Sequence, residues 1–469
     1  MKKYIYTILA VAATLSSCGK GFEVGSEAIT TIGATVEEST RAVVSSSDDT
    51  KVNWETGDRL GVFGTNASSE ARSLAFNLTA GSGSTVGTFR NNSSDITAIS
   101  AIMYPFQEGA DWTGGKLTCE IPSVQTAVKG SFDRNAAVMY SIGNTIDVEL
   151  DYAVRFLKFT IGAGDTGIHS ITVSSTGTQL SGMAEVTTSG VSAVSGQSLK
   201  SVTLTAGENQ TFTAGDYYIA IMPVDIVAPT ISIIRYEAGH IAKEYAKAGT
   251  GNLEFASGKN VKPITVDYST ISTPTGREAV QLWADGPYWA KTNVGANAAQ
   301  ESGRYFAWGD VVGQTPSGGF SPGFSTVPTL VPANPAVLPP HYDAAAANWN
   351  TAWRMPTGGE DADAEFNALK SNTNYTLVSN YNSTGVSGLE ITGKDSYSAN
   401  TLFLPTAGNG HYSTFYHYSV IGDYWSNTRN PDNTNCACHL YFNNDESSFN
   451  PGSKDSERFR GFTVRAVIE

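Results

Sequence analysis

Between Asp151 and Asp267 apolar residues recur at every second position, run after run: "VRFLKFTIG", "HSITVSS", "SVTLTAG", "DYYIAIMPV", "TISIIRYEA" and "KPITVDY". Successive side chains on a strand point to opposite faces, so this period leaves one face to bury and one to wet. A helix cannot use it. Turns of Gly, Asn and Thr separate the runs at the spacing of a β-sandwich, which is the fold expected over residues 151–268. Shorter runs, among them "KVNWETGDRLGVFG" (Lys51–Gly64), "ITAISAIMYPF" (Ile96–Phe106) and "KLTCEIP" (Lys116–Pro122), predict a first sandwich over residues 42–150. The 47 glycines and the abundance of Thr, Ser, Val and Tyr agree with a mainly β chain.

The N-terminus bears on location. "MKKYIYTILAVAATLSSCGK" carries two lysines, an apolar run from Tyr4 to Leu15 and then small residues before Cys18. That run is too short to span a bilayer and has the layout of a cleaved signal peptide over residues 1–17. The stretch Leu15-Ser16-Ser17-Cys18 resembles a bacterial lipobox, which implies lipidation of Cys18 and an exported, surface-anchored protein. A plain secretory signal with an incidental cysteine is the alternative. The net charge of -14 argues against a nucleic-acid partner, since no basic stripe is present to neutralise phosphates.

Beyond Cys18 only Cys119, Cys436 and Cys438 remain, an odd number without a CxxC pair, which fits neither a disulfide framework nor a zinc site. Cys436 and Cys438 fall on one face of a strand, where a mutual disulfide would be strained. His169 and His240 stand alone and read as ordinary strand or surface histidines. His439 has no carboxylate or second histidine at ligand spacing, and no metal site is expected.

The segment "STISTPTG" (Ser269–Gly276) has the composition of a linker, and the grammar changes beyond it. Tryptophan becomes frequent and alternation fades. Thr357-Gly358-Gly359-Glu360 has capping-box spacing ahead of a helix with Phe366 and Leu369 on its apolar side, and "HYDAAAANWN" (His341–Asn350) predicts a second short helix.

Two resemblances follow from these segments. The lipobox, "TKVNWETGDRLGVF" and "DYYIAIMPV" make Ile29–Tyr268 similar to the fimbrillin family of Bacteroidales pilins. That family implies two tandem transthyretin-like β-sandwiches that join other pilin subunits by strand exchange. An N-terminal strand, here "AITTIGATV" (Ala28–Val36), is removed after a basic residue that corresponds to Arg41, and a partner's strand fills the groove. An exposed loop arginine is the alternative for Arg41. The motifs "YWAKTNVGA", "GRYFAWGD", "WRMPTGGE", "LFLPTAG", "GDYWSN" and "RGFTVRAV" resemble, in order, the C-type-lectin-like fold shared by formylglycine-generating enzymes and the Fibrobacter major paralogous domain. This implies an α+β domain over residues 277–469 in which Trp353, Pro356 and Trp425 pack.

The polar, aromatic loops "GNGHYSTFYHYS", "SNTRNPDNTN" and "NNDESSFN" offer flat rings beside donors and acceptors, a mixture suited to a glycan or a protein surface. Tyr412, Tyr416 and His417 are expected to stack or hydrogen-bond with the ligand, and Asn427, Arg429, Asp432 and Asn433 to orient it. Solvated loops without a ligand are the alternative. No cofactor is expected beyond a weak candidate for Ca²⁺ among Asp432, Asn433, Asp445 and Glu446, which lack EF-hand spacing. The parts together imply a lipidated fimbrial subunit of the outer membrane surface, a tip adhesin, with a non-polymerising glycan-binding lipoprotein as runner-up. An enzyme of the formylglycine-generating type is not expected, because the two cysteines lack an electropositive neighbour to form a thiolate.

Overall fold

The structure, a computed structural model, describes residues 27–36, 53–255, 260–316, 319–331, 333–445 and 447–468. The signal segment, Cys18, Arg41 and Glu446 lie outside the described residues. Strand accounts for 48% of the structure and helix for 6%, the mainly β class expected. No helix among the described residues is long and apolar enough to cross a membrane.

The first unit is a ring. Strands Thr31–Val36, Asp147–Tyr152, Met139–Ile142, Ile96–Tyr104, Arg59–Asn66, Ala71–Ala80 and Val86–Arg90 pair in that order and close on the first. Where two open sheets were expected, closure comes from Thr31–Val36, which pairs parallel with Asp147–Tyr152 and antiparallel with Val86–Arg90. Its alternate residues Ile32, Ala34 and Val36 are buried, as period two requires. The boundary near residue 150 is not a clean cut. Strands Asp111–Thr113 and Lys116–Ile121 lie outside the ring in a four-stranded sheet with Ser181–Thr187 and Gly190–Leu199, in which Lys116–Ile121 pairs with Ser181–Thr187, and Phe156, Val186 and Tyr218 pack into the first core.

The second unit places Arg155–Ile161, Gly215–Ile221 and Val261–Ile264 in one sheet, opposite a core of Ile171, Val202, Leu204 and Ile233 from another. That other sheet is eight-stranded and runs on through Thr273–Gln281 and Tyr288–Ala290 to Val467–Ile468 near the end of the chain. The expected linker is therefore corrected. Tyr268 and Ile271 are buried in the second core, and Thr273–Gln281 pairs with Ile241–Ala248. The exposed side chains of Thr273–Gly276 give the segment its polar look, while its backbone joins the sheet. A ring stack crosses the junction, with Tyr236 4.5 Å from His169 and 4.4 Å from Tyr288.

The C-terminal unit holds both α-helices found among the described residues. Ala344–Asn348 falls within the expected His341–Asn350 segment, capped by Asp343, whose Oδ1 accepts from the amides of Ala345 at 2.8 Å and Ala346 at 3.1 Å. Glu365–Asn372 buries Phe366 and Leu369 as expected but begins later than the capping-box reading placed it. Thr357 does cap, through a longer loop. Its hydroxyl accepts from the Glu365 amide at 2.9 Å, and the Glu365 carboxylate accepts from the Thr357 amide at 2.8 Å. Glu360 pairs with Lys454 instead, at 3.0 Å. Trp353, Pro356 and Trp425 pack as expected. In the "FTVRAV" motif Arg465 is fully buried, satisfied by Asn293 Oδ1 at 2.8 Å and the carbonyls of Ala290 and Phe403 at 2.9 Å.

Candidate functional site

Strands Ile421–Arg429, Cys436–Asn443 and Ser448–Glu457 form a three-stranded sheet, and the hairpin Asn409–His411 with Thr414–Tyr416 stands beside it. Between them lies an open cleft of about 750 Å³, lined by residues of the hairpin and of all three strands. Deep in it sit Asn409, Asp423, His439 and Phe462, exposed by 6, 3, 4 and 1%. Tyr416 and His417 form the exposed rim, with half-buried His411 and Tyr441 between.

The sheet register assembles the floor. Asp423 pairs with Tyr441 and Trp425 with His439, which makes Asp423 and His439 diagonal neighbours on one face. The expectation that His439 has no nearby carboxylate is thus corrected, since Asp423 Oδ1 lies 3.7 Å from His439 Nε2. They are sixteen positions apart in the chain, and strand pairing brings them together. Burial pushes Asp423 up to about 7 and His439 down to about 3, so desolvation drives each toward its neutral form. At 3.7 Å no hydrogen bond holds them as an ion pair. Asn409 Nδ2 donates to Asp423 Oδ2 at 2.8 Å, and Ser456 Oγ lies 3.3 Å from His439 Nε2.

Ser, His and Asp thus meet, but not as a relay. A serine triad needs the hydroxyl and the carboxylate on opposite ring nitrogens, whereas Ser456 and Asp423 both face Nε2. Cys436 and Cys438 are buried free thiols. Burial raises both, Cys438 to about 11, which keeps them protonated. Both side chains are packed in the interior. The other isolated histidines are engaged within the fold: His169 is buried on its strand with Nδ1 2.9 Å from the Gln210 carbonyl, and the His240 ring lies tilted against Tyr397 at 4.3 Å.

Of the seven expected contact residues, the structure gathers Tyr412, Tyr416 and His417 at the cleft or beside it. Tyr412 is 56% and Tyr416 40% exposed. The other four are corrected. Asn427 is buried and lines a separate cavity of about 250 Å³ between the second and C-terminal units. Arg429 donates to the carbonyls of Pro335 at 3.2 Å and Asn430 at 3.1 Å, tying a loop. Asp432 is taken by Lys454 at 2.7 Å, and Asn433 donates to Cys436 Sγ at 3.3 Å. These residues lie toward the far end of the strand that carries Asp423, and at about 3.3 Å per residue Arg429 is about 20 Å away. The Ca²⁺ candidates do not converge either. Asp432 and Asn433 precede the Cys436–Asn443 strand and Asp445 follows it. No group of three His, Cys, Asp or Glu placed to hold a metal occurs among the described residues.

Asn409, Asp423, His439, Ser456 and Arg460 were missed as site residues. The signal for them was weak: a charged residue inside "GDYW", which otherwise reads as a strand bound for the core. Backbone geometry marks the rim independently. Tyr412, His417 and Ser419 adopt left-handed φ values of 52, 55 and 66°, where glycine is the usual residue. Comparison of the chain with protein-family models, curated proteins and solved structures finds no match.

Proposed function

We propose that the chain is an exported fimbrial subunit, a tip adhesin rather than an enzyme, that holds a glycan or surface protein in the cleft beside the Asn409–Tyr416 hairpin. One observation carries the binding part: large aromatic residues stand exposed on strained backbone over a buried polar floor. Strain concentrated at exposed rings gives the fold nothing, and it is the usual mark of a site under functional constraint. Assembly by strand exchange draws support from Thr31–Val36. That strand pairs on both sides and buries Ile32, Ala34 and Val36, so its removal would leave an open groove and unpaired backbone for a partner's strand. Lipidation at Cys18 and processing at Arg41 complete the reading.

The test is a glycan and surface-protein binding screen comparing the chain with its Tyr416→Ala variant. A ligand bound by the first and lost by the second supports the adhesin. No ligand in either screen, or one indifferent to Tyr416, sinks it. The runner-up is a non-polymerising glycan-binding lipoprotein, in which the chain keeps Thr31–Val36 in its own groove as the complete ring has it. N-terminal sequencing of the surface form separates the two: a start after Arg41 means assembly, and a start at Cys18 means a monomeric lipoprotein.

A further inference from the structure

Two acceptors on the floor of the cleft lack a donor. Asp423 Oδ2 has the Asn409 amide, but Oδ1 has no hydrogen-bond donor among the described residues, with His439 Nε2 beyond reach at 3.7 Å. Asn409 Oδ1 is buried with no partner at all. Both residues line the cleft and are more than nine-tenths buried. A ligand that fits this floor must bring hydrogens.

The charge balance narrows its chemistry. His439 is held neutral by burial, and Arg460, half-buried at the cleft, lies 3.4 Å from Glu457. From the neighbouring strand Asp455 adds a second carboxylate, and no lysine lines the cleft. His411, Tyr416 and His417 face it from the hairpin and Tyr441 from the central strand, supplying ring faces. Arg460 acts on the Asp423 carboxyl from a distance but is shared with Glu457, so the buried carboxyl still gains from a cation seated against it, and aromatic faces add to that attraction.

We propose that the cleft binds a primary ammonium group, from an amino sugar or an alkylamine, seated on Asp423 Oδ1 and Asn409 Oδ1. Such a group carries three donors, no acceptor and one positive charge. The proposal rests on the reading of the cleft as the binding site.

The test titrates the chain without residues 1–17 with four probes: glucosamine, N-acetylglucosamine, glucose and n-butylamine, followed by NMR shifts or calorimetry at pH 7. Glucosamine is expected to bind at least tenfold more tightly than its acetylated and neutral counterparts. Asp423→Asn should abolish that preference while the variant still melts cooperatively. n-Butylamine binding as well as glucosamine would assign the amine to a lysine-type chain, and weaker binding would assign it to a sugar; either supports the ammonium. Because Asp423 ionises near pH 7, affinity for n-butylamine should rise about thirtyfold from pH 5.5 to 8. Equal affinity for all three sugars, or a flat pH response, overturns the ammonium proposal and leaves the cleft a binding site. No response to any probe overturns the ammonium proposal, and the reading of the cleft as a binding site is then decided by the glycan and surface-protein screen.

Discussion

The carboxylate of Glu244 offers a way to break the junction between the second and C-terminal units. It is 1% exposed and accepts from Arg277 Nη1 and Thr275 Oγ1, each at 2.8 Å, and from Asn350 Nδ2. Asn350 belongs to the C-terminal unit and is 5% exposed. Glu244→Ala strands its amide without an acceptor, which costs about 1–3 kcal/mol. The side chain of Arg277 is 27% exposed, so its share falls from the ~3–5 kcal/mol of a fully buried pair to about 1–2 kcal/mol. The sum is about 2–5 kcal/mol. At ~2–4 °C per kcal/mol, the melting temperature should fall by about 5–20 °C. Glu244→Gln keeps the shape and one acceptor and should lose about half as much. Scanning calorimetry of the chain without residues 1–17 reads both quantities. The parent should melt its second and C-terminal units in one transition, and the alanine variant should separate them. A Glu244→Ala protein melting within about 1 °C of the parent would refute the reasoning.

A Gly276–Glu469 fragment should show no cooperative thermal transition, because the cut severs Thr273–Gln281 inside a sheet; a sharp transition would restore the tether. Native thiol labelling should be slow at Cys119, Cys436 and Cys438, all buried, with Cys119 pushed up to about 12, and fast modification of either strand cysteine would revive a thiol site. Tyr412→Gly should raise stability by about 0.5–1 kcal/mol through relief of its left-handed backbone while weakening ligand binding, whereas a fall in both would remove strain from the account. Buried His439 and His169, held down to about 3 and about 4, add stability that is present above pH 6.5 and lost as pH falls, whereas Asp423, raised to about 7, adds stability below about pH 4 that is lost as pH rises to 7. Asp423→Asn should therefore steepen the rise of melting temperature between pH 5 and 7, and an unchanged slope would refute the opposition.

Local pattern carried the strands. "VRFLKFTIG" and "DYYIAIMPV" appear as Arg155–Ile161 and Gly215–Ile221, hydrogen-bonded to each other, because alternation records which face is buried. It does not record which strand lies alongside. Pro274 sits opposite Tyr245 in the sheet, yet Thr-Pro-Thr-Gly reads as a tether because the side chains there are exposed. The same limit divided the site. Tyr412, Tyr416 and His417 were legible because the rim is one hairpin and its aromatics are out of place on a polar loop. The floor was not, since Asn409, Asp423 and His439 come from three strands whose register is set by long-range pairing.

The strain at the rim has a physical counterweight nearby. Each non-glycine left-handed residue costs about 1–2 kcal/mol, so Tyr412, His417 and Ser419 together weigh several kcal/mol against the hairpin. Tyr412 exchanges two backbone hydrogen bonds with Phe324, at 2.7 and 2.8 Å, and Gly410 exchanges two with Gly461 at the same distances. Each contributes about 1 kcal/mol net. Phe415 packs edge-on to Tyr305 and Phe320, at 5.3 and 5.6 Å, and Gly408, with φ of 64°, lets the chain pass where any side chain would strike the Tyr416 carbonyl. The hairpin is thus fastened at its base and on both sides, while Tyr412 and Tyr416 are left in solvent. Their backbone is set before any ligand arrives, so binding need not order it. A preorganised rim keeps more of its contact energy as affinity, which is how a shallow, open cleft in a β scaffold can still hold a small polar group.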